Sequence, residues 1–129
     1  MKTPKVLATD LDGTLIPLPE HPENQIDLPK LTQFISQHQA KLLYVTGRHF
    51  ESAEEAAILE DLPAADWILC DVGTSIFKQT ARGFQPVKEY AEHQAKIVDS
   101  MPREKLLSKL TDFREIQLQE TDKQGPPGR

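Results

Sequence analysis

Short, uninterrupted runs of apolar residues alternate along the chain with segments whose apolar positions recur at helical spacing. The runs lie at Val6–Leu11, Leu42–Val45 and Trp67–Cys70, and runs of this kind are typical of strands in a parallel sheet. Between them, apolar residues three and four positions apart predict helices over residues 28–38 and 50–58. Strands and helices in this order form βαβ units, so the pattern predicts an α/β fold with right-handed crossovers.

Local signals set the ends of the two helices. Asp27 is a candidate N-cap for the first helix, which tolerates a proline in its first turn and ends near His38. Pro63 stops the second helix. The segment between the first strand and the first helix is rich in proline, which predicts an irregular loop or flap beside the end of that strand. These prolines are Pro17, Pro19, Pro22 and Pro29.

The second half of the chain begins with a strand pattern and continues with a helical one. Ser75–Lys78 and Phe84–Val87 flank a glycine-containing turn and predict a hairpin. Pro102 separates two helical patterns, and Ile116–Gln119 alternates like a strand with one wet face. The tail at 125–129 has no periodicity and is predicted to be disordered. The apolar stripes of the two helices, predicted to be packing faces, contain Tyr90, Ala91, Ile97, Val98, Met101, Leu106, Leu107, Leu110 and Phe113.

Composition narrows the class of protein. A chain of 129 residues with 38% hydrophobic and 27% charged residues is long enough for one domain with a core. The net charge of −5 argues against nucleic acid or an anionic membrane as the main partner. No signal peptide or membrane-spanning segment is predicted. Cys70 is the single cysteine and has no partner for an internal disulfide, so we expect a core cysteine and a cytoplasmic protein.

Two carboxylates follow the first strand. Asp10 and Asp12 are two positions apart, so they can address one site as the strand ends. Gly13 then permits a sharp turn, and its amide and that of Thr14 are candidates for binding an anion. Close carboxylates repel each other unless a cation such as Mg²⁺ compensates. The alternative is an ordinary Asp-Gly turn that closes a strand.

The segment Asp10-Leu11-Asp12-Gly13-Thr14 resembles the first motif of the haloacid dehalogenase superfamily of phosphohydrolases, and Thr46-Gly47-Arg48 resembles its second motif. The resemblance implies that Asp10 is the nucleophile and forms an aspartyl-phosphate, whereas Asp12 is the general acid and base. It also implies a Mg²⁺ site at Asp10 and Asp12, and a phosphate site that contains Gly13, Thr46 and Gly47. Arg48 either contacts the substrate at this site or caps the region.

The resemblance also implies an architecture. The core is a Rossmann-like parallel sheet in the order 3-2-1, with the motif residues at the carboxyl ends of the strands. Val72–Phe77 and Leu118–Gln124 resemble the sucrose-6-phosphate phosphatase branch, whose α+β cap follows the third strand. We therefore expect part of the core at 1–80 and the beginning of a cap at 81–124. The acid at Asp71 either shapes the substrate entrance or forms a turn.

Two later motifs of the superfamily, a lysine and an acidic Gly-Asp motif, have no match in the chain. The sequence therefore looks like an N-terminal part of a phosphatase, ending inside the cap. One interpretation is a Mg²⁺-dependent phosphatase that acts on a small phosphorylated sugar. The other is a non-catalytic fragment, either a weak phosphate-binding module or one that depends on a partner. Missing strands would leave Val6–Ala8 on an exposed sheet edge, which predicts self-association.

Overall fold

Strands and helices alternate through the first half of the fold in the computed structural model, which describes residues 5–117. The α/β class expected from the apolar pattern is confirmed, since each of the three predicted strands and both predicted helices forms. The strands are β1 (Val6–Thr9), β2 (Lys41–Val45), β3 (Trp67–Cys70), β4 (Ser75–Thr80) and β5 (Gly83–Pro86), and the helices are α1 (Leu28–His38), α2 (Phe50–Leu59), α3 (Lys88–Ser100) and α4 (Arg103–Leu110).

The five strands form one sheet in the order β1-β2-β3-β4-β5. β1, β2 and β3 are parallel, with Thr9 opposite Tyr44 and Val45 opposite Leu69. The predicted order 3-2-1 and the predicted hairpin are confirmed. The sequence did not indicate that β4 pairs antiparallel with β3 and so extends the same sheet. The expected boundary between residues 80 and 81 falls in the turn of this hairpin, and it stays a prediction.

The first helix begins where the sequence indicated, but its cap differs. Asp27 occupies the N-cap position, yet its carboxylate accepts a hydrogen bond from Lys30 at 2.7 Å instead of from a helix amide. The proline-rich segment is less irregular than expected, because Pro22–Asp27 forms a short 3-10 helix. Pro22 lies in its first turn, where a missing N–H costs nothing. α1 ends at His38, and its C-cap residue Gln39 has a left-handed φ of 50°.

The core lies against one face of the sheet. Alternate residues of β2 and β3 point to the same face: Leu42, Tyr44, Ile68 and Cys70 are each at most 1% exposed. They pack with residues of α1 and α2. Tyr44 donates a hydrogen bond to the carbonyl of Pro63, and burial raises the pKa of Tyr44 to about 12.

Val6 is 53% and Val45 41% exposed, and the exposure of Val6 agrees with the exposed sheet edge predicted at Val6–Ala8. One expectation about burial is wrong. The stripes of α3 and α4, expected to be packing faces, contain no buried residue, and Val98 is 59% exposed. Helical spacing produces an apolar stripe whether or not a partner covers it.

The strand predicted at Ile116–Gln119 lies only partly within the described residues. Ile116 and Gln117 are not in a strand, and the other two positions of that predicted strand lie outside the described residues. The tail at 125–129 lies outside them too. Among the described helices, none is both long and apolar enough to cross a bilayer.

Candidate active site

Polar residues follow all three parallel strands at the point where each strand ends. Asp10 comes directly after β1, Thr46 directly after β2, and Asp71 directly after β3. The parallel pairing of these strands brings the three positions to the same edge of the sheet. Open α/β sheets bind ligands at this edge, which is formed by the carboxyl ends of the strands. Asp10 is exposed there, whereas Thr46 is only 4% exposed.

The amides of the turn after β1 donate hydrogen bonds to carbonyls of the same turn. Gly13 has a left-handed φ of 76°, which favours glycine. Its N–H donates to the carbonyl of Ile16 at 2.9 Å, and the N–H of Thr14 donates to Leu11 at 3.1 Å. The expectation that these two amides are free to bind an anion is therefore not met in this conformation. The reason is that the turn closes on itself, so Gly13 shapes the site through its backbone geometry.

The segment after β2 is held by a hydrogen bond to β3 and by one within the segment. The N–H of Thr46 donates to Leu69 on β3 at 2.9 Å. The hydroxyl oxygen of Thr46 accepts from the N–H of Arg48 at 3.1 Å, and Gly47 lies exposed between the two. A hydroxyl that accepts through its oxygen still has its own hydrogen to donate. Thr46 can therefore donate to a phosphoryl oxygen at the sheet edge.

Arg48 connects the two motif segments. Its Nη2 donates to Oδ1 of Asp12 at 2.6 Å, and its Nε donates to Oδ2 of the same carboxylate at 2.8 Å. Its Nη1 lies 3.4 Å from the carbonyl oxygen and the hydroxyl of Ser52. The hydrogen bonds from Arg48 lower the pKa of Asp12. Arg48 therefore holds the carboxylate of Asp12, and its contact with the substrate stays a prediction.

The turn after β3 has an unusual backbone. Asp71, Val72 and Gly73 have consecutive left-handed φ angles of 52°, 56° and 86°, and Val72 is 86% exposed. The N–H of Asp71 donates to the carbonyl of Arg48 at 2.9 Å, which ties this turn to the segment after β2. The hydroxyl of Tyr90, on α3, donates to the carbonyl of Gly73 at 2.6 Å. Sequence reasoning found the turn but had no signal for its left-handed valine.

The oxygen atoms at the carboxyl ends of the strands suit a Mg²⁺ ion that keeps several waters better than one enclosed by protein ligands. Asp10 is an exposed carboxylate, and Mg²⁺ in proteins commonly keeps several waters and binds one or two carboxylates. Asp12 has both side-chain oxygens on Arg48, so only its backbone carbonyl remains to contribute. Within residues 5–117, no group of three or more His, Cys, Asp and Glu side chains is arranged to hold a metal ion.

A spacious cleft lies away from these residues. A cleft of about 650 Å³ runs between α1 and the segment after α2, and its walls include Gln25, Thr32, Glu60 and Pro63. It has none of the predicted site residues in its lining. The motif residues instead form an open surface at the sheet edge, which agrees with the exposure of Asp10 and Asp12.

Comparison with known proteins gives a consistent family. The family model described as sucrose-6F-phosphate phosphohydrolase matches residues 3–127. A putative HAD-like hydrolase of Nitrosococcus oceani is 31% identical over 127 residues, which are 96% of this chain and 33% of that protein. The glucosylglycerol-phosphate synthase of Pseudomonas anguilliseptica is 42% identical over 72 residues, which are 55% of this chain and 9% of that protein.

Two solved structures share the fold. The sucrose-phosphatase from Synechocystis, solved in complex with sucrose and phosphate, superposes with a TM-score of 0.67 at 24% identity, covering 96% of this chain and 47% of that one. A haloacid dehalogenase-like hydrolase protein from Bacillus subtilis superposes with a TM-score of 0.62 at 21% identity, covering 87% and 42%. The chain therefore spans less than half the length of the relatives and structures that it matches.

Proposed function

Because this chain belongs to the sucrose-6F-phosphate phosphohydrolase family, we propose that it carries the nucleophile and phosphate-binding segments of a hydrolase acting on a small phosphorylated sugar. The supporting observation is the arrangement at the sheet edge. Asp10 and Thr46 follow two strands that pair directly, and Arg48 joins the second of these segments to Asp12. We also propose residues 1–80 as part of the core and 81–124 as the beginning of a cap, in a cytoplasmic protein.

Each residue has a defined role in the proposed reaction. A carboxylate oxygen of Asp10 bonds to phosphorus as the bond from phosphorus to the sugar oxygen breaks. Asp12 gives that oxygen a proton, then takes one from the water that attacks the aspartyl-phosphate. Inorganic phosphate leaves and the carboxylate of Asp10 is restored. Thr46 donates to a phosphoryl oxygen, and Gly47 lets the phosphate approach the backbone closely.

The proposed cofactor is Mg²⁺, which would be held by the carboxylate of Asp10 and the backbone carbonyl of Asp12, with water in the other positions. Its contribution when bound is to offset the negative charge of the phosphoryl group and of Asp10. A cation of this chain lies near the negative charge of the phosphoryl group: the guanidinium of Arg48, paired with Asp12, is at the same end of the strands.

A second candidate function is a phosphate-binding module without catalysis. The observation that favours it is that no three His, Cys, Asp or Glu side chains within residues 5–117 are arranged to hold a metal ion. A site with one free carboxylate stabilises the charge of a transferring phosphoryl group less than a complete one does. This second function would retain Thr46 and Arg48 as phosphate ligands, either in the chain alone or together with a partner.

The two functions are separated by measuring phosphate release from sucrose 6F-phosphate with and without Mg²⁺. In the first, Asp10→Asn abolishes release, because an amide is a poor nucleophile, and Asp12→Asn slows it by about 10²–10⁴-fold. Asp27→Asn is the matched control, since this exposed acid pairs with Lys30 on α1, and it should retain the parent rate. An Asp10→Asn variant that keeps the parent rate would exclude the nucleophile role. Phosphate binding without turnover in the parent chain would support the second function.

A further inference from the structure

The pair between Arg48 and Asp12 sets a condition on the role of Asp12. Both carboxylate oxygens accept hydrogen bonds from the guanidinium, at 2.6 and 2.8 Å. Such a fork is a strong and geometrically specific form of ion pair. Each oxygen of Asp12 therefore accepts from the guanidinium on the side that faces Arg48, and that side is not free to hold the proton that a general acid gives. Before Asp12 can give a proton to the leaving oxygen of a substrate, this pair has to open.

The backbone of Arg48 is fixed, so the pair opens through the side chain. Its N–H donates to the hydroxyl oxygen of Thr46 at 3.1 Å, and its carbonyl accepts from Asp71 at 2.9 Å. The side chain is more accessible: Arg48 is 32% and Asp12 54% exposed. A solute anion can therefore reach the guanidinium without any change in the strands.

A phosphate is the natural competitor for this guanidinium. A phosphate that accepts from the hydroxyl of Thr46 lies two residues from Arg48 and beside its fixed backbone. Phosphate monoesters present two oxygens at the spacing of the guanidinium fork and carry more charge than a carboxylate. The five N–H donors of arginine lie in the plane of the guanidinium and point away from its centre. By rotating its side chain, Arg48 can therefore exchange Asp12 for phosphate.

On the basis of the proposed function, we propose that Arg48 is a positioning residue shared between Asp12 and the substrate phosphate. In the free chain it holds Asp12. When phosphate binds, the guanidinium moves to it and frees the carboxylate of Asp12, which can then take a proton from solvent and give it to the leaving oxygen. Phosphate binding and the release of the acid are then one event, so Asp12 becomes available only when a substrate is in the site.

A double-mutant cycle on the binding of inorganic phosphate tests this sharing. Asp12→Asn weakens the hold on Arg48, so it should tighten phosphate binding by about 5- to 150-fold, the usual range for coupled sites. Arg48→Gln should weaken binding. In the double variant the gain from Asp12→Asn should disappear, because no guanidinium is left to release. A gain of the same size in the Arg48→Gln background would mean simple charge repulsion, and would overturn the proposal.

Asp71→Asn is the matched control, because it removes the same charge from the same end of the sheet while the pair between Arg48 and Asp12 stays intact. If it tightens phosphate binding as much as Asp12→Asn does, the proposal is wrong. Arg48→Lys keeps the charge without the fork and should give an intermediate affinity. Circular dichroism should confirm that each variant is folded.

A direct readout is the Nε–H resonance of Arg48 in an NMR titration with inorganic phosphate. The expected result is a shift at saturation that Asp12→Asn partly reproduces without phosphate. An unchanged resonance at saturating phosphate, or no binding at all, overturns the sharing of Arg48. This outcome is distinct from failure of the proposed function: phosphatase turnover with an unchanged resonance keeps the function, whereas a shifted resonance without turnover keeps the sharing.

Discussion

At the scale of single residues, Val72 has a backbone conformation that its branched side chain disfavours. Its φ of 56° and ψ of 33° are left-handed, and a branched side chain is unfavourable there. Such residues cost about 1–3 kcal/mol and persist where the surroundings hold them in place. Val72 is held by the hydrogen bonds that tie its neighbours to Arg48 and Tyr90. The strain therefore lies beside the segment that holds Thr46.

Replacing Val72 with glycine should raise the free energy of unfolding by about 1 kcal/mol, because glycine adopts left-handed φ without a steric penalty. Urea denaturation at neutral pH measures the change. Val98→Gly is the control, since Val98 is exposed on α3, where glycine should destabilise by roughly 0.5 kcal/mol. A Val72→Gly variant as unstable as Val98→Gly would show that the turn is not strained.

The sequence predicted the positions of the site residues better than their interactions. Asp10, Thr46 and Arg48 come at strand ends, and strand ends are visible in the local pattern. The pair between Asp12 and Arg48 joins residues 36 positions apart, and it depends on rotamers that no local pattern encodes. The prediction for the amides of Gly13 and Thr14 was wrong for a similar reason, because their acceptors, the carbonyls of Ile16 and Leu11, are set by how the turn folds.

At the scale of elements, Asp66 fixes the start of β3 between its neighbours. Its carboxylate accepts from the ammonium of Lys41 at 2.6 Å and from the N–H of Leu42 at 3.0 Å. Its backbone bonds to Leu42 on one side and to Gln79 on the other. Burial opposes ionisation, but the hydrogen bonds from Lys41 and Leu42 outweigh it and lower the pKa of Asp66.

Because its folded pKa is lowered, Asp66 stabilises the fold above its unfolded pKa of about 3.9, and this contribution is lost as pH falls through the lower folded value. Asp66→Ala should cost about 1–3 kcal/mol at neutral pH, since it leaves the N–H of Leu42 without its acceptor. The loss should shrink in acid. Urea denaturation between neutral pH and pH 3 measures both effects. Asp99→Ala, on the exposed face of α3, should change stability by less than about 0.5 kcal/mol. An equal loss at all pH values would contradict this role of Asp66.

Elements themselves were largely predictable, whereas the pairing between them was less so. The ends of α1 and β3 match the local signals at Asp27, His38 and Trp67. That β4 would join β3 was not foreseen, since an alternating pattern gives the faces of a strand and not its neighbour. The short helix at Pro22–Asp27 was missed because proline density was taken only as a signal for irregular structure.

At the scale of the whole molecule, β1 is one of the two edge strands of the described sheet, and β5 is the other. Val6 on this strand is 53% exposed and Ala8 is also exposed, as expected for an edge strand without a further neighbour. An apolar edge with unpaired N–H and C=O groups is a template for association between chains. We therefore expect the chain to self-associate as its concentration rises.

Val6→Lys should reduce this association, because a charged side chain on an edge strand opposes pairing with another edge. Sedimentation velocity over a range of protein concentrations measures the effect. Val98→Lys adds the same charge to an apolar residue of α3 with similar exposure, and it should leave the association unchanged. A parent chain that stays monomeric, or an equal effect of both variants, would contradict association through β1.

The strand order has one more consequence, which concerns synthesis of the chain. Neighbours in the described sheet are also neighbours in the sequence, so no strand has to be inserted between two strands that are already paired. As the chain leaves the ribosome, β2 meets a finished β1, β3 meets β2, and the hairpin then adds to β3. Domains form as they are made, from the N-terminus at about 5–20 residues per second. The strands whose ends carry Asp10 and Thr46 are therefore both translated before α3.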